Sequence, residues 1–171
     1  MSELLELLWI FFDRGGPVLL AVLAVSIFMW ILIIERYWFI LFGYPEQLDK
    51  IAQLWKNRQD QSSWYALRIR EGLLSEISIA LKRNLIPIQA LTGILPLLGL
   101  LGTVTGMIAI FEVLNVFGTG NARGMADGIS RALLPTTAGL VTSLAGLYFS
   151  ADLKNRADTY ADKAKDLLTH R

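Results

Sequence analysis

The chain has 171 residues, of which 54% are hydrophobic, and its mean hydropathy is +0.47. A soluble domain of this size would not tolerate such a composition on a water-facing surface. The formal net charge is only +1, which leaves no electrostatic case for a nucleic-acid partner. The chain has no cysteine, so disulfides, thiolate metal sites and thiol catalysis are excluded.

The sequence of residues 1–14 predicts a short amphipathic helix that lies in the interface on the outer side of the bilayer. Leucines and aromatic residues in this segment are interrupted by Glu3, Glu6 and Asp13, a pattern typical of a helix that lies on a membrane. These acids argue against an export signal, which opens with basic residues and ends in a small-residue cleavage site. We therefore expect the N-terminus to be retained, with Gly15-Gly16-Pro17 ending this helix.

Three stretches without charged residues are long enough to cross a bilayer. They comprise residues 15–34, 84–111 and 132–151, and each reaches the roughly 20 residues that a helix needs to cross about 30 Å of hydrocarbon. An isolated strand would leave its backbone amides unpaired in lipid. The sequence therefore predicts an all-α membrane protein with three transmembrane helices.

The basic residues predict the orientation of these helices. Arg14 alone precedes the first span, and the link between the second and third spans contains only Arg123 and Arg131. The connection between the first two spans contains eight lysines and arginines, and the C-terminal tail contains five. The positive-inside rule places the connection and the tail in the cytoplasm, and the N-terminus and the link outside.

This reasoning divides the chain into seven predicted segments. They are the interfacial helix 1–14, the transmembrane helices 15–42, 84–111 and 132–151, the cytoplasmic helical connection 43–83, the outer link 112–131 and the cytoplasmic helical tail 152–171.

The second and third spans each carry a stripe of small or weakly polar residues. The members recur at alternating steps of three and four, which places them on one helix face. They are Thr92, Pro96, Gly99, Thr103 and Gly106 in the second span, and Ala132, Thr136, Gly139, Ser143, Gly146 and Ser150 in the third.

The same register extends beyond both spans. After the third span, the residues at these positions become apolar: Leu153, Ala157, Tyr160, Ala164 and Leu167. The inward face of a helix is the more polar one in lipid and the apolar one in water, so a single helix can keep the same face inward in both. A less regular extension precedes the second span through Leu74, Ser78, Leu81, Leu85 and Ile88. Ser62 or Ser63 is placed to cap its start.

Two interpretations of the stripes are open. Small residues let helix backbones approach, and Gly102 and Gly106 form a GxxxG element, so tight helix packing is one. Threonines in membrane helices also often bond only their own backbone. Two matched stripes favour the other interpretation, a polar lumen shared by several subunits, because three helices alone enclose little space.

The three uncharged stretches 15–34, 84–111 and 132–151 contain no Asp, Glu, His, Lys or Arg. Intramembrane catalysis requires a nucleophile with a base, or a metal cluster, so we predict that the protein is not an enzyme and that it has no metal and no cofactor. Proton relays normally contain an intramembrane Asp, Glu or His. If this protein conducts protons, a partner has to supply the carboxylate.

Two motifs carry a family resemblance. Residues 96–104 (PLLGLLGTV), followed by Gly106-Met107-Ile108, and residues 128–140 (GISRALLPTTAGL) resemble the second- and third-span motifs of the MotA/TolQ/ExbB proton-channel family. The outer amphipathic helix, the Gly-Gly-Pro entry, Glu35-Arg36 and the three-span topology extend the resemblance over nearly the whole chain. It is nearest to a short ExbB with a reduced cytoplasmic connection.

The resemblance implies a homopentameric ring in the inner membrane of a Gram-negative bacterium, with the N-terminus periplasmic and the C-terminus cytoplasmic. Such a ring surrounds two single-span ExbD-like subunits, each of which supplies a titratable Asp. Proton flow would energise a TonB-like protein that opens outer-membrane transporters for iron-siderophores or vitamin B12.

The resemblance also implies roles for the stripe residues. By position, Thr103 and Thr136 match the pore threonines of the family. The remaining stripe residues then form a secondary pore or packing face, comprising Thr92, Gly99, Gly106, Gly139, Ser143 and Gly146.

The chain departs from the family pattern at three positions. Arg131 stands where better-known ExbB and TolQ members carry Glu, Pro135 stands where Ala is usual, and Thr105 stands where Trp is common. Arg131 at the outer mouth is spaced to pair with Asp127, one turn earlier. An exposed pair of this kind contributes only about 0.3–0.5 kcal/mol.

Three alternatives accompany the expected TonB-type function. A TolQ-like subunit of the Tol-Pal envelope-maintenance motor is the nearest, and the sequence separates it poorly from ExbB. MotA of the flagellar stator fits less well, because its fold has four spans and a larger cytoplasmic domain. A non-conducting membrane scaffold that only positions a partner helix belongs to a different class and also explains the stripes.

Overall fold

The computed structural model describes residues 2–57, 60, 63–117 and 122–169, and the regular structure in these ranges is helical. The helices are α1 (Ser2–Trp38), α2 (Tyr44–Lys56), α3 (Trp64–Lys82), α4 (Leu85–Phe117) and α5 (Ala122–Thr169), with a π-helical turn at Phe39–Gly43. The predicted all-α fold class is confirmed.

Three helical stretches are long and apolar enough to span a membrane. Gly15–Lys56, Trp64–Asn115 and Gly124–Leu168 contain 18-residue windows with mean hydropathies of 2.8, 2.2 and 1.4, respectively. The prediction of a multi-pass membrane protein with three such helices is therefore confirmed. Only 22% of each window is buried within the chain, so most of each span is available to lipid or to other chains.

The helical backbone of α1 is interrupted at Gly16. This residue has φ 66° and ψ −169°, a conformation that is essentially restricted to glycine. Pro17 follows and has no amide N–H to donate to the preceding turn. The interruption falls within the predicted Gly-Gly-Pro break, while the side chains of residues 2–5 and 7–14 lie outside the described residues, so the predicted amphipathic face is not described.

Helix α3 starts at a serine cap and ends at a turn. The Ser63 Oγ accepts a hydrogen bond from the Ala66 amide at 3.2 Å, whereas Ser62, the other predicted cap, lies outside the described residues. Asn84 has φ 62° and separates α3 from α4. The extension that precedes the second span is therefore a helix of its own.

The chain divides into two compact units. The first comprises the described residues of Met1–Trp30 and Gln89–Leu147, and the second those of Ile31–Ile88 and Tyr148–Arg171. Apolar side chains from α1, α4 and α5 form the interior of the first unit; they include Leu19, Val22, Met29, Leu95, Ile110 and Ala132.

In the second unit, an apolar cluster and two hydrogen bonds from tyrosine hydroxyls connect several helices. Trp55, Ala66 and Leu168 form the cluster, with α2, α3 and α5 each contributing one residue. The Tyr37 hydroxyl on α1 donates to a carboxylate oxygen of Asp152 on α5 at 2.6 Å. Tyr44 donates similarly to the carbonyl oxygen of Tyr160, 2.8 Å away. Polar contacts therefore accompany the apolar core of this unit.

The predicted inward register of the α5 tail holds at most positions and is wrong at its last one. Leu153, Ala157 and Ala164 are fully buried, but Leu167 is 60% exposed and Leu168 is 5% exposed. A strict heptad drifts about 20° per repeat on a straight helix. Over the five heptads from Ala132 onward, this drift amounts to one residue, so Leu168 takes the inward position.

Candidate functional site

The small-residue faces of α4 and α5 pack against each other in the first unit. A Cβ atom at Gly99 would lie 2.9 Å from the Thr136 Cα, and one at Gly139 would lie 2.6 Å from the carbonyl oxygen of Leu95. Both distances are shorter than real Cβ contacts allow, so a larger residue would force the helices apart. Close backbone approach of this kind is how membrane helices associate without a hydrophobic driving force.

Two hydrogen bonds cross the same interface. The Thr136 hydroxyl on α5 donates to the carbonyl oxygen of Gly99 on α4 at 2.7 Å. The Ser143 hydroxyl donates to the carbonyl oxygen of Thr92 at 2.9 Å. A carbonyl oxygen has two lone pairs, so it can accept this bond in addition to its helical one. In membrane proteins such a bond contributes about 0.6 kcal/mol on average.

Helix α1 joins the interface at Met29. The buried Thr92 hydroxyl lies 3.4 Å from the Met29 sulfur, and a Cβ at Gly146 would lie 2.6 Å from that sulfur. The absence of a side chain at Gly146 therefore makes room for Met29. The sequence carried no signal for this contact, because Met29 is one apolar residue among many in the first span.

A proline packs against α4 further along the same interface. A Cβ at Gly102 would lie 2.5 Å from the Pro135 Cβ, and Pro135 is fully buried. Gly106 packs in the same manner against Ala132. Pro135, one of the departures from the family pattern, therefore fills the space that the first glycine of the GxxxG element leaves open.

Thr103 follows Gly102, the glycine that packs against Pro135. It is half-buried, and its hydroxyl donates to the Leu100 carbonyl oxygen of its own helix at 2.7 Å. Thr105 and Thr137 also donate to carbonyl oxygens of their own helices. Of the two predicted pore threonines, only Thr136 has its hydroxyl bonded to the other helix in the described contacts. Its acceptor, Gly99, lies one helical turn before Thr103.

The two predicted pore hydroxyls share one chemical property. Thr103 and Thr136 each donate their single hydroxyl proton to a carbonyl oxygen, so each oxygen presents lone pairs to its surroundings. Such an oxygen can accept a hydrogen bond from water, a hydronium ion or a protonated carboxyl group. It has to rotate away from its carbonyl before it can donate in turn.

An apolar cavity of about 420 Å³ opens in the first unit near Arg131. The α1 bend at Gly15–Val18 contributes to its wall, together with residues of α4 and α5, and Arg131 is its charged lining residue. Arg131 is exposed. The side chain of Asp127 lies outside the described residues, so the pairing of Asp127 with Arg131 stays a prediction.

These contacts bear on the two interpretations of the stripes. The glycines at positions 99, 106, 139 and 146 lie where helices meet, as the packing interpretation requires. Thr136 and Ser143, which bond across this contact, are only half-buried, and so is Thr103. Packing therefore explains the glycines, and the pore role of the two threonines stays a prediction.

Comparison with known proteins relates the chain to one family. Residues 46–166 match the family model described as the MotA/TolQ/ExbB proton channel family. This range contains all of α4 and α5 up to residue 166, and with them every contact between these two helices described above.

Individual relatives carry the same family name. The chain is 36% identical over 88 residues to the biopolymer transport protein ExbB-like 3 of Synechocystis sp., a match that covers 50% of this chain and 41% of the relative. It is 43% identical over 63 residues to ExbB-like 1 of the same organism, covering 35% and 25%. Biopolymer transport protein ExbB of Helicobacter pylori is 29% identical over 96 residues, covering 56% and 66%. The chain thus spans less than two thirds of each relative.

Proposed function

The chain belongs to the MotA/TolQ/ExbB proton channel family, and on this premise we propose that it is the ring-forming subunit of a motor driven by proton-motive force. The ring is a homopentamer in the bacterial inner membrane, with periplasmic N-termini and cytoplasmic C-termini. It surrounds single-span, ExbD-like subunits and acts on a TonB-like protein that energises outer-membrane import of the iron-siderophore or vitamin B12 class.

The observation that carries this proposal is the hydroxyl of Thr136. It lies at the edge of the α4–α5 contact, half-buried, with its proton directed to Gly99 and its lone pairs available. The uncharged stretches 15–34, 84–111 and 132–151 contain no Asp, Glu, His, Lys or Arg. A proton path along this edge therefore requires a carboxyl group from the partner helix, for which Thr136 and Thr103 act as hydrogen-bond acceptors. The chain itself performs no catalysis.

The uncovered surface of the spans supports an assembly. Only 22% of the 18-residue apolar segment of each span is buried within the chain. The exposed side chains on α4 and α5 are large and apolar, among them Leu97, Leu101, Leu140 and Leu144. Copies that pack through such faces bring their half-buried threonines toward a shared space, which three helices alone do not enclose.

Growth on siderophore iron tests this function. A strain deleted for the gene, supplied with iron only as a siderophore complex, is expected to stop growing and to recover with the intact gene. Thr136→Val is expected not to restore growth, whereas the matched control Thr137→Val is expected to restore it, because the exposed Thr137 bonds only to its own helix. Restoration by Thr136→Val would contradict the proposed proton path.

Normal growth of the deletion strain, without redundancy from a second energising system, would contradict the TonB assignment. Detergent sensitivity of the same strain would then favour the TolQ-like alternative, in which the ring serves envelope maintenance.

A non-conducting scaffold is the second candidate, and one observation favours it. The hydroxyls of Thr103 and Thr136 both make hydrogen bonds within the chain, as they would in a protein whose stripes serve packing alone. A scaffold is expected to tolerate valine at either position with its full activity, and this separates the two functions.

A further inference from the structure

A charged side chain is buried in the second unit. Arg36 on α1 is only 2% exposed. Its Nε and Nη2 atoms donate to the two carboxylate oxygens of Glu35 at 2.8 and 2.7 Å, and its guanidinium lies 4.7 Å from the ring centroid of Phe39. Burial of an arginine costs several kcal/mol unless its charge is paired and its donors are used. Glu35 pairs the charge of Arg36 and accepts from two of its three nitrogen atoms.

The third contact of this guanidinium reaches the end of another helix. The Arg36 Nη1 atom donates to the carbonyl oxygen of Ala80 at 3.0 Å. Ala80 is in the last turn of α3, which ends at Lys82, and the carbonyl groups of a last helical turn have no partner within the helix. The C-terminal end of a helix also carries partial negative charge, which favours a cation there. Arg36 therefore caps α3 from α1.

Glu35 contacts the residue that immediately precedes α4. The Asn84 Nδ2 atom donates to a Glu35 carboxylate oxygen at 3.3 Å. Asn84 has φ 62°, and its carbonyl oxygen accepts a hydrogen bond from the Ile88 amide at 3.2 Å. Asparagine is one of the few residues that tolerates this backbone conformation. Glu35 therefore binds the side chain of Asn84, the residue at the turn between α3 and α4.

From these contacts we propose that Glu35 and Arg36 are a positioning pair that fixes the direction in which α4 leaves α3. Arg36 holds the end of α3, Glu35 holds Asn84, and their ion pair joins the two contacts. The pair acts on the start of α4 through the junction at Asn84. This inference does not depend on the proposed function.

A spin-label experiment measures the junction directly. The chain has no cysteine, so introduced cysteines are labelled without background. Cysteines at Gly72 and Ile86 bracket the junction; Ile86 is exposed, and Gly72 has open space around it. Cysteines at Gln53 and Gly72 form a reference pair on α2 and α3 that does not cross the junction. Labelled chains are diluted with unlabelled chains, so that distances between copies do not contribute.

Pulsed electron–electron double resonance is expected to give one narrow distance peak for each pair in the otherwise unchanged protein. With Arg36→Gln, the 72–86 peak is expected to broaden or shift while the 53–72 peak stays unchanged. Arg36→Lys keeps the charge but not the planar, forked donor geometry, and an intermediate effect is expected. Arg68→Gln, which removes an exposed arginine that pairs with Glu71 at 3.1 Å, serves as the matched control and is expected to change neither peak.

An unchanged 72–86 peak in Arg36→Gln would overturn the proposal, and so would equal broadening of both peaks, which is the signature of general destabilisation. If Arg36→Gln does not fold, Asn84→Asp tests the other contact with Arg36 intact. It is nearly isosteric, replaces the amide donor with an acceptor, and puts a second negative charge beside Glu35. It is expected to change the 72–86 peak alone, and no change there would contradict the role of Glu35.

Discussion

Thr136 donates its hydroxyl proton to the Gly99 carbonyl oxygen at a position where the backbones of α4 and α5 approach closely. The hydrogen bond is 2.7 Å long, and a Cβ at Gly99 would lie 2.9 Å from the Thr136 Cα. The same residue thus serves helix packing and places an oxygen at the edge of the proposed proton path. A substitution that keeps the shape of the Thr136 side chain and removes its hydroxyl can test the proton-path role without losing the packing.

Thr136→Val is such a substitution. It keeps the branched shape and removes one interhelical hydrogen bond, so the free energy of unfolding is expected to fall by about 1 kcal/mol or less. Proton flux through the assembled complex in liposomes is expected to fall by roughly tenfold or more, because a positioned proton-transfer group contributes on that scale. Flux is measured with a pH-sensitive dye, and assembly by size-exclusion chromatography.

Thr137→Val is the matched control for that measurement. The Thr137 hydroxyl donates to the Leu133 and Leu134 carbonyl oxygens of its own helix, so its loss is expected to leave both flux and assembly unchanged. If flux were equal in the Thr136→Val and Thr137→Val proteins, the hydroxyl of Thr136 would have no part in conduction.

Gly99→Ala is expected to destabilise the first unit. The added methyl group would meet the backbone of Thr136, and overpacking of this kind typically costs about 1–3 kcal/mol. The comparison is Gly93→Ala on the same helix, where a Cβ meets nothing within 4 Å. There the substitution is expected to stabilise by about 0.5–1 kcal/mol, because alanine is the better helix former. Unfolding in detergent micelles measures both, and changes of the same sign would contradict the close approach.

Leu168→Ala and Leu167→Ala test the register of the α5 tail. Leu168 packs with Trp55 and Ala66, so its truncation is expected to lower the free energy of unfolding by about 2 kcal/mol, at the low end of buried leucine truncations. Leu167 is exposed, and its truncation is expected to change stability by less than about 0.5 kcal/mol. The reverse order in thermal unfolding would restore the strict heptad register.

Substitutions at Asn84 test the turn between α3 and α4. Asn84→Gly keeps the φ of 62° accessible and removes only the amide contact with Glu35. Asn84→Ala removes the same contact and adds a backbone cost of about 1–2 kcal/mol. Alanine is therefore expected to be the more destabilising of the two, as read from the midpoint of thermal unfolding. Equal midpoints would mean that the turn is not strained.

The spans and their contact faces are predictable from the sequence. Bilayer thickness sets the length of an uncharged helix, and helix periodicity brings residues such as Gly99, Gly106 and Gly139 to one side. The capping role of Ser63 follows from chemistry local to the start of α3. The error at Leu167 has the same geometric origin, since a small angular drift becomes one full residue after five heptads.

Other contacts leave no local trace in the sequence. The contact of Met29 with Thr92, the packing of Pro135 over Gly102 and the bond from Arg36 to Ala80 each depend on the depth and rotation at which separate helices meet. Hydropathy and periodicity describe one helix at a time, and they contain neither quantity. Glu35-Arg36 is part of the family resemblance in the sequence, but its contact with the end of α3 is visible only in the structure.

The spans bury only about a fifth of their residues within the chain, and this has a consequence for how the protein can diverge. Substitutions of exposed side chains on that surface, such as Leu97 or Leu144, are expected to leave the intramolecular contacts of Gly99 and Gly139 intact. That surface is free to change in step with a new companion while the fold is inherited intact. One backbone design can in this way be reused in machines that differ in what they drive.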